Sequence, residues 1–222
     1  SETSKILKFS AIKTMKLAQT LFEAGFITYH RTDSKYVSNE GVRIAEEYIK
    51  DRFGITDFKP RKWPKKGAHE CIRPTKPIDV LELSKRIRET GIKELSKDHL
   101  KLYNLIFKRF ISSQMSNAKV VYQKVKFKIA STEIETEIPV EIKKDGFLKI
   151  LPMKIYPRVL PPSSRIRKYF LKNLPTVLPF TQGEIIREMK KRNIGRPSTY
   201  AIIIQKILER KYAIESKGRI IP

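Results

Sequence analysis

The chain has 222 residues, 40% hydrophobic and 32% charged, a composition that folds and excludes a disordered polymer. Lys and Arg number 47 against 23 Asp and Glu, so the formal net charge is +24 and the pI about 10.1. Such a field calls for an anionic partner, a phosphate polymer before a membrane surface, because no apolar run reaches the ~18 residues of a spanning helix. The lone cysteine, Cys71, excludes an internal disulfide and a cysteine zinc site and fits a cytoplasmic compartment.

In chain order, Ser10 caps a predicted helix that runs to Glu23, with Ile12, Met15, Ala18, Leu21 and Phe22 on one face and Gly25 closing its end. Gly25 to Tyr29 reads as a short strand or extended turn. A second helix is predicted over Asn39–Phe53, stopped by Gly54, and a third from about Asp98 to Met115, with an apolar face of Leu102, Tyr103, Leu105, Ile106 and Phe110. The period changes from about residue 118 to 160. Val125, Phe127 and Ile129 alternate with Lys124, Lys126 and Lys128, and Ile134, Ile138 and Ile142 alternate with Glu and Thr, which predicts two or more antiparallel strands. Pro157, Pro161 and Pro162 break that texture. Thr181 and Glu184 form a capping box that opens a helix holding Ile185, Ile186 and Met189, and a last helix is predicted from Thr199 to Tyr212. Neither terminus reads as a natural boundary, and the chain is expected to be a piece of a larger protein.

Three segments carry groups suited to phosphate chemistry. In Ile27-Thr28-Tyr29-His30-Arg31-Thr32-Asp33-Ser34, a tyrosine precedes an arginine and three polar side chains. Nearby positive charge favours the phenolate and stabilises a phosphoryl-transfer transition state. On an extended segment Tyr29 and Arg31 share a side, Thr32 and Ser34 supply hydroxyls, and Asp33 can orient Arg31. The bland alternative is a turn that caps the next helix around a half-buried tyrosine. Gly67-Ala68-His69-Glu70-Cys71-Ile72-Arg73-Pro74-Thr75 lies in a basic stretch: between Lys59 and Lys76 there are seven Lys and Arg, Lys65 and Lys66 among them, one acid, and Trp63. There His69 can donate to a phosphate or relay a proton and Arg73 can hold a phosphate, the alternative being a solvated loop. Asn193-Ile194-Gly195-Arg196-Pro197-Ser198-Thr199-Tyr200 leads a glycine turn into a helix start, where free N–H groups, the Ser198 and Thr199 hydroxyls and Arg196 make an anion site, or simply a helix cap. Residues 146–183 hold seven Lys and Arg and no acid, with Tyr156, Tyr169 and Phe170 interleaved, a pattern suited to unpaired bases.

The order "ITYHRTDS", "GAHECIRPT", "RFISSQMS", "NIGRPSTYA" from about Phe9 to Lys217 resembles the type IA DNA topoisomerases. His30 beside Tyr29 and the "AHECIRP" wording resemble the reverse gyrase branch most, and the richness in Lys, Glu and Ile agrees with a hyperthermophile. The resemblance implies an α+β, multi-lobed fragment: a helical, winged-helix-like gate lobe over 1–115, a β-rich arch segment over 116–178, and a partial helical base over 179–222. It implies that Tyr29 is the nucleophile that forms a 5′-phosphotyrosyl link to single-stranded DNA, with Arg31 supporting cleavage, His69 near the scissile phosphate and Asp33 beside them. Arg196, Ser198 and Thr199 match backbone contacts to DNA. Thr32, Ser34, Arg73, Lys65 and Lys66 are expected to contact it too.

The resemblance also implies Mg²⁺ held by an acidic toprim domain that this chain lacks, so the toprim-containing part, fused or a separate subunit, is an expected partner. ATP is expected to act only through an absent helicase-like part. Glu133, Glu135 and Glu137 share one face of a predicted strand but read as its wet side, and no P-loop is present. Tyrosine recombinases fail on motif order, since the tyrosine here comes first. A basic DNA- or RNA-binding module without chemistry is the competing class.

Overall fold

The computed structural model describes residues 2–65, 67–90, 95–129, 131–157, 161 and 178–222. Helix α1 spans Ala11–Glu23, α2 Asn39–Phe53, α3 Val80–Thr90 and α4 Lys97–Ser113; strands β1 (Lys119–Ile129) and β2 (Thr132–Lys144) follow, then α5 (Gln182–Lys191), α6 (Tyr200–Glu209), β3 (Ile214–Ser216) and β4 (Arg219–Ile221). The fold is α+β. Ser10 and Ser38 cap α1 and α2 by accepting from the third residue onward, at 3.2 Å from Lys13 N and 3.1 Å from Gly41 N. The capping box at Thr181 is formed from both sides.

Helix α3 and the β3–β4 hairpin lie outside the sequence-based expectation. Asp79 Oδ1 accepts from the amides of Leu81 and Glu82 and starts α3. The last helix ends at Glu209, short of the expected Tyr212, and Lys217 and Gly218, both at positive φ, turn β3 back on β4.

The core gathers α1, α2, α3 and α4 with the strips between them. Leu21, Ile27, Val37, Ile44, Ile49, Leu83, Ile111 and Met115 are all but removed from solvent. Tyr103 is buried too, and its hydroxyl donates to the Ile78 carbonyl at 2.7 Å, which satisfies a group otherwise costly to bury.

The β1–β2 ribbon is different. It projects with exposed Val121, Tyr122 and Ile134, and its register sets Lys124, Lys126 and Lys128 opposite Glu137, Glu135 and Glu133. Its root is tied to the lobe. Gly146, at φ 47°, lies where a Cβ would run into the Ser116 carbonyl. Ser116 N donates to Asp57 O at 2.7 Å, and Lys149 pairs with the Asp57 carboxylate at 2.6 Å.

Candidate active site

Gly25, at φ 74°, ends α1 and turns the chain into an extended strip. Ile27 makes an antiparallel bridge to Pro74. Thr28 N donates to Arg73 O at 2.9 Å, Thr75 N to Phe26 O at 3.1 Å, and Cys71 N to Tyr36 O at 2.8 Å. The Thr28 hydroxyl accepts from Arg73 N at 3.0 Å and donates to Cys71 O at 2.9 Å. The first two motifs are thus zipped together by their own backbones. The consequence is chemical: the Tyr29 and His69 rings lie 4.6 Å apart between centroids, and Phe22 of α1 packs edge-on against Tyr29 at 5.4 Å. Tyr29 is half-buried and His69 exposed. Among the described residues the Tyr29 hydroxyl has no hydrogen-bond partner, so it is free to meet a ligand.

Arg31 is exposed and reaches back to Gln19 of α1 at 3.4 Å. Asp33 does not orient it. The Asp33 carboxylate pairs with Lys190 of α5 at 3.0 Å, and the hydrogen bond from Lys190, with the charges of Lys190 and Arg196, holds it below the usual carboxylate range. This pair joins the first motif to α5, and the bond from Ala11 N to Gln182 Oε1 at 2.8 Å joins the start of α1 to the same helix. A cavity of about 290 Å³ lies between them, lined by His30, Thr32, Asp33, Lys190, Pro197 and Tyr200 among others. His30 is 4% exposed and neither ring nitrogen has a partner among the described residues; burial, then Arg31, pushes its pKa down.

Several expected contacts are placed differently. Arg73 is buried, not phosphate-facing: its guanidinium holds Glu70 at 2.9 and 2.8 Å and donates to Pro74 O at 2.9 Å. Gly41 makes room for it, since a Cβ there would meet Arg73 Nε at 2.8 Å. Burial raises the Glu70 pKa, but the bonds from Arg73 and Ser38 outweigh that and hold it below its usual value. Glu70 carried no role in the sequence reading, although its three-residue spacing from Arg73 was there to be read. The Thr32 and Ser34 hydroxyls accept from the amides of Ser34 and Tyr36 and so shape the strip itself. Thr199 closes its own turn, accepting from Arg196 N at 2.9 Å, and α6 starts only at Tyr200, with Pro197 in the turn before it. Ser198 and the Arg196 side chain are exposed. Lys65 is exposed, its ammonium 5.8 Å from the Tyr36 ring centroid, while Lys66, Tyr169 and Phe170 lie outside the described residues. Burial pushes the Cys71 thiol up to about 11, which removes it as a nucleophile at neutral pH.

Among the described residues no group of three His, Cys, Asp or Glu side chains converges on a metal position. Glu137 and Glu135 are engaged by Lys124 and Lys126 at 3.9 and 3.4 Å. The described acids do not fit a Mg²⁺ centre. No described helix is long and apolar enough to cross a membrane.

The geometry of the site leaves the family open, and comparison with known proteins decides it. The sequence profile of the DNA topoisomerase family matches residues 1–222, and the chain belongs to that family. Within it, the chain is 47% identical over 221 residues to reverse gyrase 1 of Aquifex aeolicus, covering all of this chain and 19% of that protein. It is 48% identical over 227 residues to the reverse gyrase of Pyrococcus furiosus, covering 98% and 18%. The full-length topoisomerase I of Thermotoga maritima superposes with a TM-score of 0.75 at 30% identity, over all of this chain and 38% of that one. The chain therefore spans under a fifth of the length of these reverse gyrases.

Proposed function

We propose that this chain supplies the nucleophile of a type IA DNA topoisomerase that works within a reverse gyrase. The observation that carries the reading is the Tyr29–His69 contact, built by backbone zipping of two separate motifs. In the proposed reaction the Tyr29 phenol oxygen attacks the phosphorus of a DNA phosphodiester. The P–O bond to the 3′-oxygen breaks, and the proton given up by the phenol ends on the departing 3′-hydroxyl. The covalent link conserves the bond energy, so the 3′-hydroxyl reseals the strand by attacking back without ATP. His69 positions the phosphate or relays the proton, and the exposed Arg31, two residues from Tyr29, balances the charge of the transition state. Arg196 and Ser198, reached through the Asp33–Lys190 bridge, extend the contact along the DNA backbone.

In this reading residues 1–115 form the gate that carries Tyr29, 116–178 an arch segment, and 179–222 part of the base. Mg²⁺ belongs to a toprim-containing part, fused or separate, and ATP drives positive supercoiling only through a helicase-like part. The expected compartment is the cytoplasm. The test is covalent capture. Single-stranded DNA labelled at its 3′ end is mixed with the chain, the toprim-containing part and Mg²⁺, then denatured. Label on the protein that vanishes in Tyr29→Phe is the expected result. DNA binding without any adduct would sink the reading in favour of a binding module.

A further inference from the structure

The motif Arg109–Ser116 has no part in the chemistry at Tyr29, yet the structure gives it a visible task. Gln114, fully buried, holds the strip that precedes the His69 loop. Lys59 N donates to Gln114 O at 2.8 Å, Arg61 N to Gln114 Oε1 at 3.0 Å, and Gln114 Nε2 to Arg61 O at 3.2 Å. The Arg61 guanidinium donates to the carbonyls of Ser113 and Met115 at 2.6 and 2.9 Å. Pro60 and Pro64 stiffen the same strip. What this anchoring holds in place is Lys62, Trp63 and Lys65, all exposed.

Trp63, the chain's one tryptophan, is 36% exposed. It lines a groove of about 920 Å³ together with Lys35, Arg61, Arg109 and the apolar Ile72 and Phe147. The one acid among the described residues lining it, Glu2, is ion-paired with Arg109. Tyr29 and His69 do not line it. A large aromatic face anchored in a basic groove, with its acid neutralised, is the arrangement that stacks an unpaired base and tracks a phosphate backbone.

We propose that this groove is a second binding surface for single-stranded DNA, apart from the Tyr29–His69 site. One base stacks on Trp63, and Lys35 holds a flanking phosphate. The inference rests on the reading of the chain as one that acts on DNA.

The test uses the 222-residue chain, whose single tryptophan makes its emission a reporter of Trp63 alone. Oligo-dT is titrated in while Trp63 fluorescence and the anisotropy of a labelled oligonucleotide are followed together. Quenching in step with binding is expected, with a duplex of equal length giving none. Trp63→Ala should weaken oligo-dT binding about tenfold, and Trp63→Phe should restore most of it. Lys35→Ala should lower the slope of log affinity against log salt by about 0.7. Saturation seen by anisotropy with the Trp63 emission unmoved would overturn the second surface and leave Tyr29's role standing. No binding in either channel would overturn both.

Discussion

The two strips zipped together around Tyr29 carry one arginine each, and the fold treats them in opposite ways. Arg73 is turned inward, where four hydrogen bonds from its guanidinium reach Glu70, Pro74 and Ser38. Arg31 is turned outward and, among the described residues, its guanidinium is held by Gln19 alone. In a chain with a net charge of +24, a motif arginine does not by itself mean a DNA contact. One builds the platform and the other faces solvent, and burial rather than residue type separates the two.

The sharpest way to break this contrast is to delete each arginine in turn. Arg73→Ala leaves Glu70 without its partner and should cost about 3 kcal/mol of stability, read as a large fall in melting temperature. Arg73→Lys should not restore it, because an ammonium cannot reproduce the two-pronged bond. Arg31→Ala should leave the melting temperature within error while lowering adduct formation. Equal melting curves for the two alanine variants would end the distinction.

His30 extends the comparison to a buried ring whose nitrogens have no hydrogen-bond partner among the described residues. Replacing its imidazole by an apolar side chain of similar size, His30→Met, should stabilise the chain by about 1 kcal/mol, because an unsatisfied buried group is removed. A fall in melting temperature would show that His30 has a partner in solution.

The titrations of these two groups give a pH dependence. Glu70 has its folded pKa below the ordinary 4.5, so its contribution is present above that value and is lost as pH falls below it toward the folded pKa. His30 has its folded pKa below the ordinary 6.5, so the native state loses stability as pH falls through 6.5, where the unfolded chain takes up a proton that the folded chain refuses. Melting temperature should therefore fall from pH 7 to 5.5 in the parent and less steeply in His30→Met. Parallel profiles would contradict the assignment.

The smallest effect is expected on the β1–β2 ribbon. Lys126→Ala removes an exposed ion pair to Glu135 at 3.4 Å and should change stability by less than about 0.5 kcal/mol.

Much of the architecture was legible because local signals decide it. Ser10 and Thr181 are caps, and Gly25 and Gly54 are stops that the fold uses as such; the cap of α2, Ser38, comes only from the structure. The Lys and Glu alternation of 124–137 became a cross-strand ladder. Helix α3 was missed because its cap, Asp79, follows Pro74 and Pro77 in a stretch that reads as loop. The β3–β4 hairpin was missed because a three-residue strand has too little alternation to outweigh the helical period before it. At the site, the motifs could be read but their partners could not. Asp33 pairs with Lys190, and Gln114 anchors Lys59 and Arg61; both are long-range choices that no local pattern encodes.

The central claim is that Tyr29, placed against His69, is the atom source of the covalent bond to DNA. Peptide mass spectrometry of the captured adduct tests it most directly. After nuclease trimming and proteolysis, the account predicts a nucleotide remnant on the peptide that contains Tyr29 and at no other tyrosine. A remnant on Tyr36, Tyr200 or any other residue would contradict it.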